Sequence, residues 1–114
     1  MQKSDSVRLQ HMLDGAKEAV SFVKGQTRIA LDRDRKLALS LVRLVEVVGE
    51  AAAQVTKESQ KKYPGIPWPQ IIAMRNRLIH AYFDIDLDRV WKIVKDDLPP
   101  LITELEKVIS DKKG

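Results

Sequence analysis

The stretch Arg75-Asn76-Arg77-Leu78-Ile79-His80 holds the side chains of this chain best suited to chemistry on a phosphodiester. An imidazole that titrates near neutrality can take or give a proton. A guanidinium can hold phosphoryl oxygens and neutralise the charge that builds in a transition state. An amide can orient the phosphate or the ring. Arg75, Asn76 and His80 together suit attack of a ribose 2′-hydroxyl on the adjacent phosphate, a reaction that requires no metal. The sequence offers no dense carboxylate or histidine cluster to hold a metal. Asp84, Asp86 and Asp88 alternate, and helix capping with solvated loop charge accounts for them. His11 has no comparable neighbours and reads as structural or incidental.

The pattern predicts a helix from about Pro69 to Phe83 to carry this set. At about 100° per residue, Ile71, Ile72, Leu78, Ile79 and Tyr82 fall within roughly 60° of one direction, with Arg75 in their midst. Arg77 points the opposite way. A guanidinium on an apolar face is costly unless it meets a carboxylate or lines a cleft. Asn76 and His80 lie one turn apart, about 100° and 140° round from Arg75, so Arg75 and His80 share no stripe. They converge if the arginine bends round, or if a second copy of the helix completes the site. Three readings stay open: a nuclease site, a binding module that cleaves nothing, and an Arg–His network that merely holds a helical dimer together.

The remaining elements read as helices with short joints. Asp5 or Ser6 can cap a first helix through about Lys24, with Leu9, Leu13, Ala16, Val20 and Val23 on one face and Gly25 as its stop. A long second helix, roughly Leu31 to Gln60, has two apolar stripes: Leu37, Leu41, Leu44, Val48 and Val55, beside Ala38, Val42, Val45 and Ala52. So wide a face suits a subunit core plus a partner subunit, or the centre of a monomeric bundle. Tyr63-Pro-Gly-Ile-Pro-Trp-Pro69 forms a rigid joint, with Pro69 in the first turn of the next helix. Asp86 can cap a further helix from Leu87, Pro99-Pro100 breaks or kinks it, and a last helix runs to about Ile109. The expected fold is an all-α bundle of four to five helices. It forms one domain over residues 1–110, and residues 111–114 form a frayed tail.

Composition agrees. A chain of 114 residues suits one core, and 44% hydrophobic content is enough to fill it. Two residues each of Phe, Trp and Tyr against abundant Leu, Ile, Val and Ala favour helix packing over a β-sandwich. The absence of cysteine excludes disulfides, zinc–thiolate sites and thiol nucleophiles. No apolar run reaches membrane-spanning length, and Met1 to Val7 lacks a signal-peptide core, so a cytoplasmic protein is expected. A net charge of +4 is a mild bias toward polyanions. Arg28, Arg33, Arg35, Lys36 and Arg77 are candidate guides for RNA, although most such charges are simply solvated.

The string Arg75-Asn76-Arg77-Leu78-Ile79-His80-Ala81-Tyr82 resembles the Arg–x4–His–x–Tyr signature of the HepT-like HEPN family. Val48-Gly49-Glu50-Ala51, Tyr63-Pro64-Gly65-Ile66-Pro67-Trp68, Asp84-Ile85-Asp86-Leu87 with Val90-Trp91, and Asp97-Leu98-Pro99-Pro100-Leu101 resemble it too, in the expected order across nearly the whole chain. The resemblance implies an antiparallel HEPN bundle that acts as a homodimer, with two motif segments facing across a cleft. It further implies a metal-independent ribonuclease toxin that needs no cofactor. Its partner would be an MntA-type nucleotidyltransferase antitoxin that transfers AMP from ATP onto the motif tyrosine. Carried over, Arg75 and His80 are catalytic, Asn76 supports them, and Tyr82 is the modified residue. Glu50, more than Glu46, is then the candidate carboxylate for Arg75. AMP on Tyr82 would set bulk and phosphate charge beside Arg75 and compete with RNA.

Overall fold

The computed structural model describes residues 2–81 and 84–113, with side chains described at all of these except 75, 77, 79–81, 112 and 113. Helix α1 (Lys3–Val23) buries Leu9, Met12, Leu13, Ala16, Ala19 and Val23 along one face, and Gly25 turns the chain at φ 75° just beyond its end. Its N-terminus departs from the expectation. The helix begins two residues before Asp5, with Gln2 at the cap position. Asp5 is instead fully buried and serves a different helix. Its Oδ1 accepts from the Thr56 backbone N–H at 3.1 Å. Its Oδ2 accepts from the Thr56 hydroxyl at 2.6 Å and the Ser59 hydroxyl at 2.7 Å. The sequence carried the signal: Asp5 stands four residues before Leu9, on the apolar face, where a carboxylate needs partners.

The long second helix is divided into three: α2 (Ala30–Arg33), α3 (Arg35–Gln54) and α4 (Lys57–Lys62). Both breaks fall at capping side chains. Asp34 Oδ1 accepts from Leu37 N–H at 3.1 Å, and Thr56 Oγ1 accepts from Ser59 N–H at 3.3 Å. Side-chain acceptors that satisfy the first N–H groups of a new helix let the chain turn without leaving orphan donors. Between the breaks, Ala38, Leu41, Val42, Val45, Val48, Ala51 and Ala52 are buried against α1 and the elements after it.

The proline-rich joint is fixed by the buried Trp68, whose indole N–H donates to the Tyr63 carbonyl at 3.1 Å. Helix α5 (Trp68–Ala73) comes next, with Pro69 in its first turn as expected. The expected helix to Phe83 is not formed. After Ala73 the chain tightens into a 3-10 turn (Met74–Arg77), and strand β1 (Ile79–Ala81) then pairs antiparallel with β2 (Asp84–Ile85). Ile79 stands opposite Ile85, and the Asp86 N–H donates to the Leu78 carbonyl at 2.7 Å, closing the base of this short ladder. Ile79 and Ile85 are β-branched, and such residues override a helical period when a partner strand is at hand.

Asp86 caps helix α6 (Leu87–Lys92), accepting from Arg89 N–H at 3.0 Å, as expected. The Pro99-Pro100 kink takes the form of a π turn (Ile93–Asp97) that leads directly into α7 (Leu98–Lys113). Two prolines have no N–H for the carbonyls four residues before them, and widening the turn re-pairs the chain. Helix α7 packs Leu98, Leu101, Leu105 and Val108 into the core and stays helical past Ile109. The architecture is all-α apart from the small hairpin. Helix α1 packs against both α3 and α7 to form the bundle, and α2, α5 and α6 pack on α3. No helix is long and apolar enough to cross a membrane among the described residues.

Candidate functional site

The motif segment is held from both sides. Upstream, Ile71 and Met74 are buried and anchor α5 and the 3-10 turn; downstream, Leu78 is fully buried where the turn passes into β1. Between these anchors the backbone carries Arg75 and Asn76 on the 3-10 turn, and His80 at the centre of β1. Asn76 is exposed. The wheel that set Arg75 and His80 on different faces of one helix therefore does not apply beyond Arg77. A tight turn followed by extended backbone relates them instead. Tyr82 lies outside the described residues.

Helix α3 is the platform for this segment, and Gly49 is the reason it can come so close. A Cβ at Gly49 would stand 3.2 Å from the Ile71 carbonyl oxygen and 3.5 Å from that of Ile72. A missing side chain thus lets α3 cross directly against the backbone of α5, and the 3-10 turn also packs on α3. The sequence showed Gly49 as one letter of a family resemblance; its physical role needed the crossing. Glu50 is the next residue at this crossing, half-buried, with its Oε1 3.8 Å from Arg43 Nη1. Glu46, one turn earlier, is also half-buried.

Of the basic residues considered as RNA guides, Arg28 is committed elsewhere. Its Nε donates to Asp88 at 2.8 Å and its Nη1 to Asp32 at 3.2 Å, tying α2 to the start of α6. Arg33, Arg35 and Lys36 are exposed at the junction of α2 and α3. His11 is exposed on α1. Among the described residues no three carboxylate or imidazole groups stand close enough to share a metal ion.

Arg75, Asn76 and Arg77 on one turn and His80 on the strand after it are residue types that suit contact with a phosphodiester, and comparison with known proteins finds similarity to ribonucleases. The chain matches the ribonuclease HepT-like family over residues 12–108. It is similar to the probable ribonuclease HepT of Thermococcus cleftensis, 35% identical over 100 residues, which cover 84% of this chain and 91% of that protein. A Methanocaldococcus jannaschii protein provisionally named an RNase is 33% identical over 100 residues, 88% of this chain and 92% of its own length. One from Caldanaerobacter subterraneus, also provisionally named an RNase, is 30% identical over 105 residues, with 92% and 94% covered. No solved structure matches at a comparable level.

Proposed function

This chain belongs to the ribonuclease HepT-like family and is an RNA-cleaving enzyme, and from that premise we propose that it is the metal-independent endoribonuclease toxin of a HepT/MntA-type toxin–antitoxin pair. The observation that carries this reading is the span of the family match. Residues 12–108 take in the whole Arg75–His80 motif together with the α3 platform beneath it and the hairpin beyond.

In the proposed reaction, the His80 imidazole takes the proton of a ribose 2′-hydroxyl. The freed oxygen attacks the adjacent phosphorus, the bond to the 5′-oxygen breaks, and that oxygen takes a proton from an imidazolium as it leaves, which returns the site to its starting state. The products are a 2′,3′-cyclic phosphate and a 5′-hydroxyl. Arg75 holds the non-bridging oxygens, where negative charge accumulates. Asn76, exposed on the same turn, orients the phosphate. Glu50 supports Arg75 from α3. Two chains complete the site as a homodimer, each motif segment facing the other. An MntA-type nucleotidyltransferase silences it by moving AMP from ATP to the Tyr82 oxygen with release of pyrophosphate, which places a phosphate where RNA would bind.

The test is cleavage of total cellular RNA and transfer RNA in EDTA by the purified protein, with its intact mass checked, beside His80→Ala. Loss of about 100-fold or more in rate for His80→Ala is expected, the scale of general acid–base catalysis, with cyclic-phosphate ends on the parent's products. Cleavage that survives His80→Ala, or that needs a divalent cation, would overturn this mechanism. Tyr82→Phe is expected to keep cleavage and to gain no AMP mass when incubated with the nucleotidyltransferase and ATP.

A further inference from the structure

Away from the motif, α1, the π turn and the start of α7 border an open hollow of about 420 Å³. Its floor is aliphatic: Val94 is fully buried, and Val20 and Ile102 are half-buried. Ser21, Gly25 and Pro99 on its walls have no side chain long enough to fill it, and Val23 beside them is turned into the core. Ser21 turns its hydroxyl back to the Glu18 carbonyl at 2.7 Å and so offers the hollow no free donor. Every charged residue on the lining is a lysine: Lys17, Lys24 and Lys95. The Lys95 ammonium lies 5.5 Å from the centre of the Trp91 ring, over its face.

We infer that this hollow is a docking site for an acidic amphipathic helix of a protein partner, one that places an aliphatic anchor on Val20, Val94 and Ile102 and carboxylates on the three lysines. An apolar hollow binds water poorly, so filling it is favourable. A rim of one sign selects the opposite sign and speeds encounter. Lysine ammoniums are point charges on flexible stems and suit the scattered carboxylates of a helix face. Single-stranded RNA fits less well. It is gripped by open aromatic faces and guanidinium planes, and the lining has neither: the Trp91 face carries Lys95. The helix-in-groove mode needs one apolar stripe with charged flanks, and this surface is its complement.

The probes are two designed amphipathic helical peptides with leucines on one face, one flanked by glutamates and the other by lysines, titrated into the full-length protein. Binding is tracked through the methyl resonances of Val20, Val94 and Ile102. The glutamate peptide is expected to saturate with shifts centred on those methyls, and the lysine peptide to leave them unmoved. In Lys17→Glu/Lys24→Glu/Lys95→Glu, affinity for the glutamate peptide should fall about tenfold or more, and preference should invert to the lysine peptide; inversion itself shows a folded groove. Lys17→Glu alone, on exposed α1 surface, should weaken binding in the same direction. Equal response to both peptides, no saturable shift, or tighter occupancy of the same methyls by a 12-residue oligouridylate overturns the assignment. A change in sedimentation of the triple variant would assign the groove to a second copy and overturn it as well. None of these readouts depends on RNA cleavage.

Discussion

Asp5 shows how far a single residue can act from its own element. Burial alone would raise its carboxyl, but hydrogen bonds from the Thr56 and Ser59 side chains and the Thr56 backbone, helped by the Arg8 charge, hold it below the ordinary 3.8. A depressed folded value means that the contribution is fully present above the unfolded value and is lost as pH falls through the folded one. Asp5→Asn keeps one acceptor oxygen but sets an N–H₂ in place of the other, against either the Thr56 N–H or the two hydroxyls. It is expected to destabilise the protein by about 2 kcal/mol at pH 7, the scale of charge-assisted hydrogen bonds. Urea unfolding at pH 7 and at about pH 3 checks this: the gap between parent and variant should narrow in acid, where the unfolded chain takes up a proton before the native carboxylate does. A gap that stays constant would mean that the carboxylate's charge contributes nothing.

At the scale of elements, the motif depends on two features that favour close approach over helical regularity. The 3-10 turn and hairpin replace a helix, which moves His80 off the Arg75 wheel, and Gly49 brings α3 against the backbone that leads into that turn. Gly49→Ala should therefore separate stability from activity. Alanine favours the helix by roughly 0.5–1 kcal/mol, which opposes the strain of a Cβ 3.2 Å from the Ile71 carbonyl. The net change in urea midpoint should be small. The kcat for RNA should fall about tenfold, because a small displacement of catalytic groups is costly. Activity that tracks only the stability change would remove Gly49 as a positioning residue.

For the whole molecule, the extents of 43 × 29 × 19 Å matter most. The thin dimension is about two helix diameters, so most helices keep one face outward. Phe22, Ile29 and Leu39 are large apolar residues left exposed where α1, α2 and α3 meet. A homodimer whose two motif segments share one cleft predicts complementation. Mixed after subunit exchange, Arg75→Ala and His80→Ala chains would form, within that cleft, one Arg75–His80 pair with both groups intact and one with neither. Cleavage should return to a sizeable fraction of the parental rate from two inactive parents, read on the same RNA in EDTA. If Arg75 and His80 of one chain act together, the mixture stays dead.

The sequence by itself determined what depends on local chemistry. Helical period, Gly25 as a stop, Asp86 as a cap, Pro69 in a first turn and the Pro99-Pro100 irregularity are decided within a few residues of the chain, and the structure shows each of them. The motif letters and their spacing are equally a property of the sequence. Only tertiary structure decided where an element must yield to a contact distant in sequence. Asp5 leaves its expected cap because Thr56 and Ser59, more than fifty residues on, supply its donors. The long second helix breaks at Asp34 and Thr56; each caps the helix after it, and at Thr56 the distant Asp5 carboxylate holds the break. The segment after Arg77 turns to β structure because Asp84–Ile85 offers a ladder and Leu78 a buried anchor. Local period is written in neighbours, whereas these outcomes depend on which partners the folded chain brings within hydrogen-bond reach.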